Sequence, residues 1–235
     1  MNLIFLQYSF CECRHQHGCV YYSGESCNEE RLKLNSGDSG IRRGIVARLE
    51  VLYPGVYTDQ NVAIVSTHSH SGVGGYAENL MSQLASLGFV KQAYDAIISG
   101  TMVAVDKAHK SLAPGSLALG TTELLDANIN RSPFSYLQNP ANERSRYEHD
   151  QDKDFTLLDF RDANGKSRGF LSFFPVHGTS LYLNNTLVSG DNKGIAAYLY
   201  ESYVEPNSAP GNATYVAGFA QSNVGDSSPN TYVPI

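Results

Sequence analysis

NVAIVSTHSHSG, residues 61–72, divides into two halves of opposite chemistry. The first, 61–67, is short, apolar and β-branched, the composition of a buried strand. The second sets His68 and His70 two residues apart and ends on Gly72, with Gly74 and Gly75 just beyond. A strand that runs into a polar, glycine-rich turn is a building unit of α/β sheets, and ligands gather at the carboxyl ends of such strands.

The flanking sequence supplies helices. Upstream, Ile41, Ile45, Val46, Leu49 and Leu52 recur at helical spacing and predict an amphipathic helix from about Gly40. Pro54-Gly55 ends it. Downstream, residues 78–112 are rich in Ala and Leu and predict two helices broken near Gly88. Their apolar residues within 82–90 and 97–105 are read as core-facing. Ala113-Pro114-Gly115 is a turn, and 116–125 is a further strand. Residues 128–140, rich in Asn, Ser and Pro, are expected to be loop. Residues 154–162 alternate as a strand, Ala163-Asn164-Gly165-Lys166 turns a hairpin, and 169–176 (GFLSFFPV) returns. Asp191 is the expected N-cap of a helix to about Val204. A surface loop at 206–212, a last strand at 213–220 and a polar stretch at 221–230 complete the pattern. Strands interleaved with helices, plus one hairpin, predict the α/β class. The expected architecture is a layered sheet with flanking helices and mixed parallel and antiparallel strands.

Composition narrows the function. A chain of 235 residues that is 42% hydrophobic and 17% charged is ordinary globular protein, enough for one large domain or two small ones. The net charge of -6, with both signs scattered and no basic run, argues against a nucleic-acid partner. No apolar run approaches the ~20 residues of a membrane helix. Residues 1–10 are apolar but short and lack a basic n-region, so they are not read as a signal peptide. Cys11, Cys13, Cys19 and Cys27 crowd the first 27 residues together with His15 and His17. Their C-x-C spacing fits no zinc pattern, and residues 1–38 are expected to be a poorly structured leader.

Three constellations carry chemistry, each placed after an expected strand. In THSHSG, histidines at i and i+2 of an extended strand point to the same face, and neutral imidazole is a common zinc ligand. HGTS at 177–180 ends the strand 169–176 on His177, which could add another imidazole to the same site. NVGDSSPN at 223–230 offers Ser227 or Ser228 as nucleophile or oxyanion donor, with Asp226 as a nearby orienter. Taken alone, this last motif also reads as an ordinary Asp/Ser/Pro turn. It contains no G-x-S-x-G elbow, so it is not an α/β-hydrolase signature.

THSHSGVGGY, NINRSPFSYL, HGTS with SGDNKG, and NVGDSSPN follow one another in an order and spacing that resemble the neutral ceramidase family, over about residues 39–230. The resemblance implies a zinc-dependent amidase that hydrolyses the N-acyl bond of ceramide to sphingosine and a fatty acid. It implies that His68 and His177 bind Zn2+ and that His70 lies beside the scissile amide. Arg131 of NINRSP is implied to be a positively charged member of the site. Ser228 is implied to be the essential serine, with Asp226 in its loop. The family's zinc shell also has a Glu and a Tyr far downstream, and the family carries a C-terminal immunoglobulin-like domain. Residues 39–235 are therefore expected to be part of a catalytic domain. A truncated, inactive module that binds lipid or a partner is the alternative expectation. Ceramide is a bilayer lipid, so a membrane surface is an implied partner. Asn184-Asn185-Thr186 and Asn212-Ala213-Thr214 fit the N-glycosylation pattern and are compatible with the secretory routing the family implies.

Overall fold

The computed structural model describes residues 6–8, 38–182, 184–209 and 212–231. The cysteine-rich stretch therefore lies outside the described residues. Within the expected leader, Leu6–Tyr8 forms a short strand, β1. Next comes helix α1 (Ser39–Leu52), then β2 (Ile64–Ser66). The Asp38 carboxylate caps α1 by accepting the backbone N–H groups of Gly40 and Ile41 at 2.8 and 3.1 Å. It thereby satisfies donors that the first helical turn leaves without partners. The stripe Ile41, Ile45 and Leu49 is buried, as its spacing predicts.

Residues 78–112 form two helices, α2 (Leu80–Ala85) and α3 (Lys91–Lys110). Gly88, between them, has φ 127°, a conformation few residues but glycine adopt. α3 buries Ile97, Ile98, Ala104 and Val105 against α1, and these residues form one cluster with Tyr57, Tyr76 and Ala197. The core-facing expectation fails for the earlier segment. Leu80, Leu84 and Leu87 are 69%, 64% and 96% exposed. Six residues make under two turns of helix, too few to define a stripe, so apolar content alone did not reveal which way α2 faces.

The rest of the chain holds the main sheet and a small two-stranded one: β3 (Gly115–Glu123), β4 (Ile129–Asn130), α4 (Pro133–Tyr136), α5 (Ala141–Arg144), β5 (Asp154–Asp162), β6 (Ser167–Phe173), α6 (Asp191–Val204), β7 (Val216–Ala220) and β8 (Ser227–Ser228). The four-stranded sheet has the order β3-β5-β6-β7. β3 and β6 flank β5 antiparallel, and β7 lies parallel to β6. Gly165 turns the β5–β6 hairpin with φ 79°. α6 crosses between β6 and β7 and packs on β7. β1 pairs parallel with β2 and comes close to β7. The mixed α/β sheet with flanking helices is the expected class.

Two expected loops contain strands. β4 pairs antiparallel with β8, matching Ile129 with Ser228 and Asn130 with Ser227. A two-residue strand has no readable period, and its partner lies far along the chain. Residues 128–140 also hold the short helix α4. At α6 the N-cap is Gly190, and Asp191 is the first helical residue with φ 51°. The Asp191 carboxylate still accepts backbone N–H groups, from Asn192 at 2.7 Å, Ser180 at 3.1 Å and Leu181 at 3.2 Å. Aspartate is among the few side chains that tolerate this left-handed conformation.

Candidate metal and catalytic centre

β2 ends at Ser66, so the strand geometry expected to align His68 with His70 is absent. His68 instead turns the chain with φ 58°. The turn is held by the HGTS segment. Ser69 bridges Gly178 in parallel, and the His70 N–H donates to the Gly178 carbonyl at 2.9 Å. This contact requires glycine. A Cβ at 178 would collide with the His68 carbonyl oxygen and lie 2.6 Å from the Ser69 Cα. The close approach brings the histidines of two separate motifs together.

Three imidazoles converge. His68 Nε2 lies 2.9 Å from His177 Nε2 and 3.2 Å from His70 Nε2. One ligand atom from each of the three falls within 4.8 Å of the others, a group that could hold a metal ion. For a tetrahedral ion with metal–nitrogen bonds of ~2.0–2.1 Å, ligand nitrogens lie roughly 3.3 Å apart, so the spacing fits. His177 is fully buried, His68 nearly so, and His70 is half-buried. The His177 Nδ1–H donates to the Val224 carbonyl at 2.9 Å. That partner fixes the tautomer and leaves the Nε2 lone pair aimed inward.

Arg131 reaches this group, and the serine loop is tied to Arg131 through the backbone. A terminal nitrogen of Arg131 lies 3.5 Å from His177 Nε2, so the guanidinium stands at the edge of the histidine cluster. The Arg131 N–H donates to the Asp226 carbonyl at 2.8 Å, which ties NINR to the GDSS loop by backbone as well as by the β4–β8 pairing. Ser227 and Ser228 are buried on β8. The Ser228 hydroxyl accepts the Asn230 N–H at 3.2 Å, and the Ser227 hydroxyl donates to the Val224 carbonyl at 3.2 Å. SGDNKG docks on THSHSG: the Ser69 hydroxyl donates to the Ser189 carbonyl, and the Ser189 N–H donates to the Ser71 carbonyl, each at 2.9 Å.

Some buried polar residues escaped the sequence reading. Lys153 donates to the carbonyls of Leu125 and Asn128, each at 2.7 Å, and to Asn128 Oδ1 at 2.9 Å. Burial pushes its ammonium below the usual lysine range. Next to it, the Asp152 carboxylate accepts from Ser222 and Asn223, at the start of the serine loop. Gln221 follows β7 directly and reaches the residues that precede both His68 and His177, the carbonyls of Thr67 and Val176. No local pattern marks these residues, because their partners lie far away in the chain.

Residues 31–235 match the family model described as neutral/alkaline non-lysosomal ceramidase, N-terminal. The chain is 45% identical over 217 residues to neutral ceramidase B of Dictyostelium discoideum, a match covering 92% of this chain and 29% of that protein. It is 44% identical to a neutral ceramidase of Pseudomonas aeruginosa, over 88% of this chain and 30% of that protein. The crystal structure of neutral ceramidase from Pseudomonas aeruginosa aligns with a TM-score of 0.75 at 41% identity, covering 82% of this chain and 30% of that one. The chain thus spans less than a third of the length of these relatives.

Proposed function

This chain belongs to the neutral/alkaline non-lysosomal ceramidase family, and on that premise we propose that it serves zinc-dependent hydrolysis of the N-acyl amide bond of ceramide. The products are sphingosine and a fatty acid. The observation that carries this reading is the convergence of His68, His70 and His177 on one point, with the Arg131 guanidinium beside it.

His68 and His177 are the ligands for Zn2+ in this reading. Their burial fixes their rings, and the Val224 carbonyl holds His177 in the tautomer a ligand needs. Bound zinc supplies Lewis-acid chemistry, which makes water easier to deprotonate near neutral pH and polarises an amide carbonyl. The remaining work falls to the chain's own groups. Half-buried His70 faces the scissile amide and exchanges a proton at Nε2. Arg131 offers charged N–H donors to the oxygen on which negative charge develops. Loss of one such donor costs ~10²–10³ in rate. Ser228, buried in the loop that also holds Asp226, serves either as a further donor to that oxygen or as the acyl-forming nucleophile. Trapping an acyl adduct on Ser228 would decide for the second role.

Ceramide resides in bilayers, so the substrate is met at a membrane surface. Among the described residues no helix is long and apolar enough to cross a membrane. Secretory routing belongs to the same proposal, and Asn184 and Asn212 of the two acceptor triplets are exposed.

The test is ceramide hydrolysis by the purified chain with added zinc, beside His177→Ala, with zinc stoichiometry measured on both. Turnover and one bound zinc, both lost in His177→Ala, support the reading. Zinc bound equally by both proteins overturns the ligand assignment. One bound zinc without turnover favours a module that binds but does not hydrolyse.

A further inference from the structure

β6 ends at Phe173, the Phe174 N–H still donates to the Ala220 carbonyl of β7 at 3.2 Å, and the chain then runs through Pro175 and Val176 to His177 outside the regular strands. Proline lacks the N–H that would continue a ladder. The carbonyls of this segment nevertheless each accept a hydrogen bond from a side chain, two of the donors from the start of α6 and one each from residues 128 and 221. Lys193 Nζ donates to the Phe174 carbonyl at 2.7 Å. Asn128 Nδ2 donates to the Pro175 carbonyl at 2.5 Å. Gln221 Nε2 donates to the Val176 carbonyl at 2.5 Å, and Asn192 Nδ2 donates to the His177 carbonyl at 2.7 Å. Four successive carbonyls are thus held by four nitrogen donors.

Gln221 is the central member. Its Oε1 accepts the Val176 N–H at 3.0 Å, while its Nε2 also donates to the Thr67 carbonyl at 2.8 Å. One amide therefore grips the N–H and the carbonyl of Val176 together with the carbonyl of the residue preceding His68. Asn128 performs a similar bridge on the other side, since its Nδ2 also donates to the Asp152 carbonyl at 3.1 Å. Asn128 and Lys193 are themselves buried. Such a set of donors costs stability if left unpaired, so each member holds its carbonyl in one place.

We propose that Asn128, Gln221, Asn192 and Lys193 form a side-chain collar that positions His177 against His68. They are positioning residues. They touch the peptide backbone on which the imidazole is mounted, and they act through it. The collar substitutes for the β-ladder where the chain must leave the sheet to present His177. Its relevance to chemistry rests on the reading of His177 as a metal ligand given above. The assignment of the collar itself rests on hydrogen bonds alone.

The informative variant is Gln221→Glu, which keeps the shape and the acceptor for the Val176 N–H but removes the donor to Thr67 and Val176. Two readouts are taken on the whole chain. The first is the tautomer of His177 in metal-free protein, from ¹H–¹⁵N imidazole spectra. The second is the affinity for Co2+ alone, followed by its visible absorption. Wild type is expected to hold His177 as the Nδ1–H tautomer, and Gln221→Glu to mix tautomers and weaken Co2+ binding by about 10- to 100-fold, the range for losing a group that orients a ligand. Asn192→Asp, at a half-buried position, is expected to act in the same direction and serves if Gln221→Glu does not fold by circular dichroism. A folded variant with an unchanged His177 tautomer and Co2+ affinity within about twofold of wild type overturns the collar. If wild type binds no Co2+, the metal reading fails, and the imidazole spectra alone decide the positioning role.

Discussion

The α1–α3 layer and the loops around His177 are both buried, but they cohere by opposite means. Between the helices, Ile41, Ile45, Leu49, Ile97, Ile98 and Val105 meet through apolar side chains. Around His177 the buried residues include many polar ones, among them Thr67, His68, Ser69, Asn128, Ser172, Ser227 and Ser228, beside apolar Phe174, Pro175 and Val176. Apolar contact is non-directional, and its loss scales with the volume removed. Hydrogen bonds to buried carbonyls are directional, and a misplaced partner costs the whole desolvation of the group left behind. The helical layer should therefore lose stability gradually when trimmed, while the polar region should lose its geometry outright.

The sharpest break of that comparison is Gly178→Ala. The added methyl meets the backbone at His68 and Ser69, not a side chain that can swing aside. The bridge between the two histidine motifs must open, and metal binding is expected to vanish in a Co2+ titration. Wild-type affinity in Gly178→Ala would show that the polar region is as forgiving as the helices. The matched change in the other region is Ile45→Ala. Ile45 is fully buried, and the expected cost is about 3 kcal/mol by urea unfolding, within the range for large-to-small core changes. The imidazole spectra of His68 and His177 should remain at their wild-type positions. Movement of those signals would mean that the two regions form one mechanical unit.

The same division explains what could be read from the sequence. α1 and α3 were legible because their burial repeats every three to four residues, and the hairpin because residues 162–166 carry turn chemistry with Gly165 at φ 79°. The site histidines stood out as motifs, and His68, His70 and His177 do come together. The route to that arrangement was not legible. His68 lies in a left-handed turn and not on a strand, and its alignment depends on Gly178, which is distant in sequence. β4 and β8 were read as loop because two paired residues carry no periodicity. Gln221 and Asn128 looked like loop polarity, since a side chain that bonds a distant carbonyl leaves no local signature. α2 errs the other way, with an apolar composition that the fold leaves facing outward.

A pH measurement sharpens the comparison further, because the collar contains a buried ammonium. Burial pushes Lys193 down from 10.5 to about 7. Below pH 7 the folded and unfolded chains both carry the proton, and the cost of burying the charge is fully present. Between about 7 and 10.5 the unfolded chain keeps the proton that the folded chain has lost, so stability rises with pH. The contribution is at most about 1.4 kcal/mol per pH unit. The advantage of wild type over Lys193→Met in unfolding free energy should grow from pH 7 to pH 10. A difference that stays flat across that range would mean that water reaches Lys193 and that the region is less tightly closed than its hydrogen bonds imply.

The smallest effect is expected at the outer surface of the helical layer. Lys91 opens α3 and pairs with Asp95 at 2.5 Å, but the two side chains are 73% and 40% exposed. An exposed pair of this spacing contributes about 0.3–0.5 kcal/mol. The position works against it, because a positive charge in the first helical turn opposes the helix dipole by a comparable ~0.3–1 kcal/mol. Val90, the N-cap, offers no side-chain acceptor to offset that. The two terms have opposite sign, so Lys91→Ala should leave unfolding free energy within about 0.5 kcal/mol of wild type. Added salt should shrink even that difference, since both terms are screened. A loss well above 1 kcal/mol would mean that the α2–α3 junction is held by charge. The contrast between an apolar layer indifferent to its surface and a polar site that depends on each partner would then no longer hold.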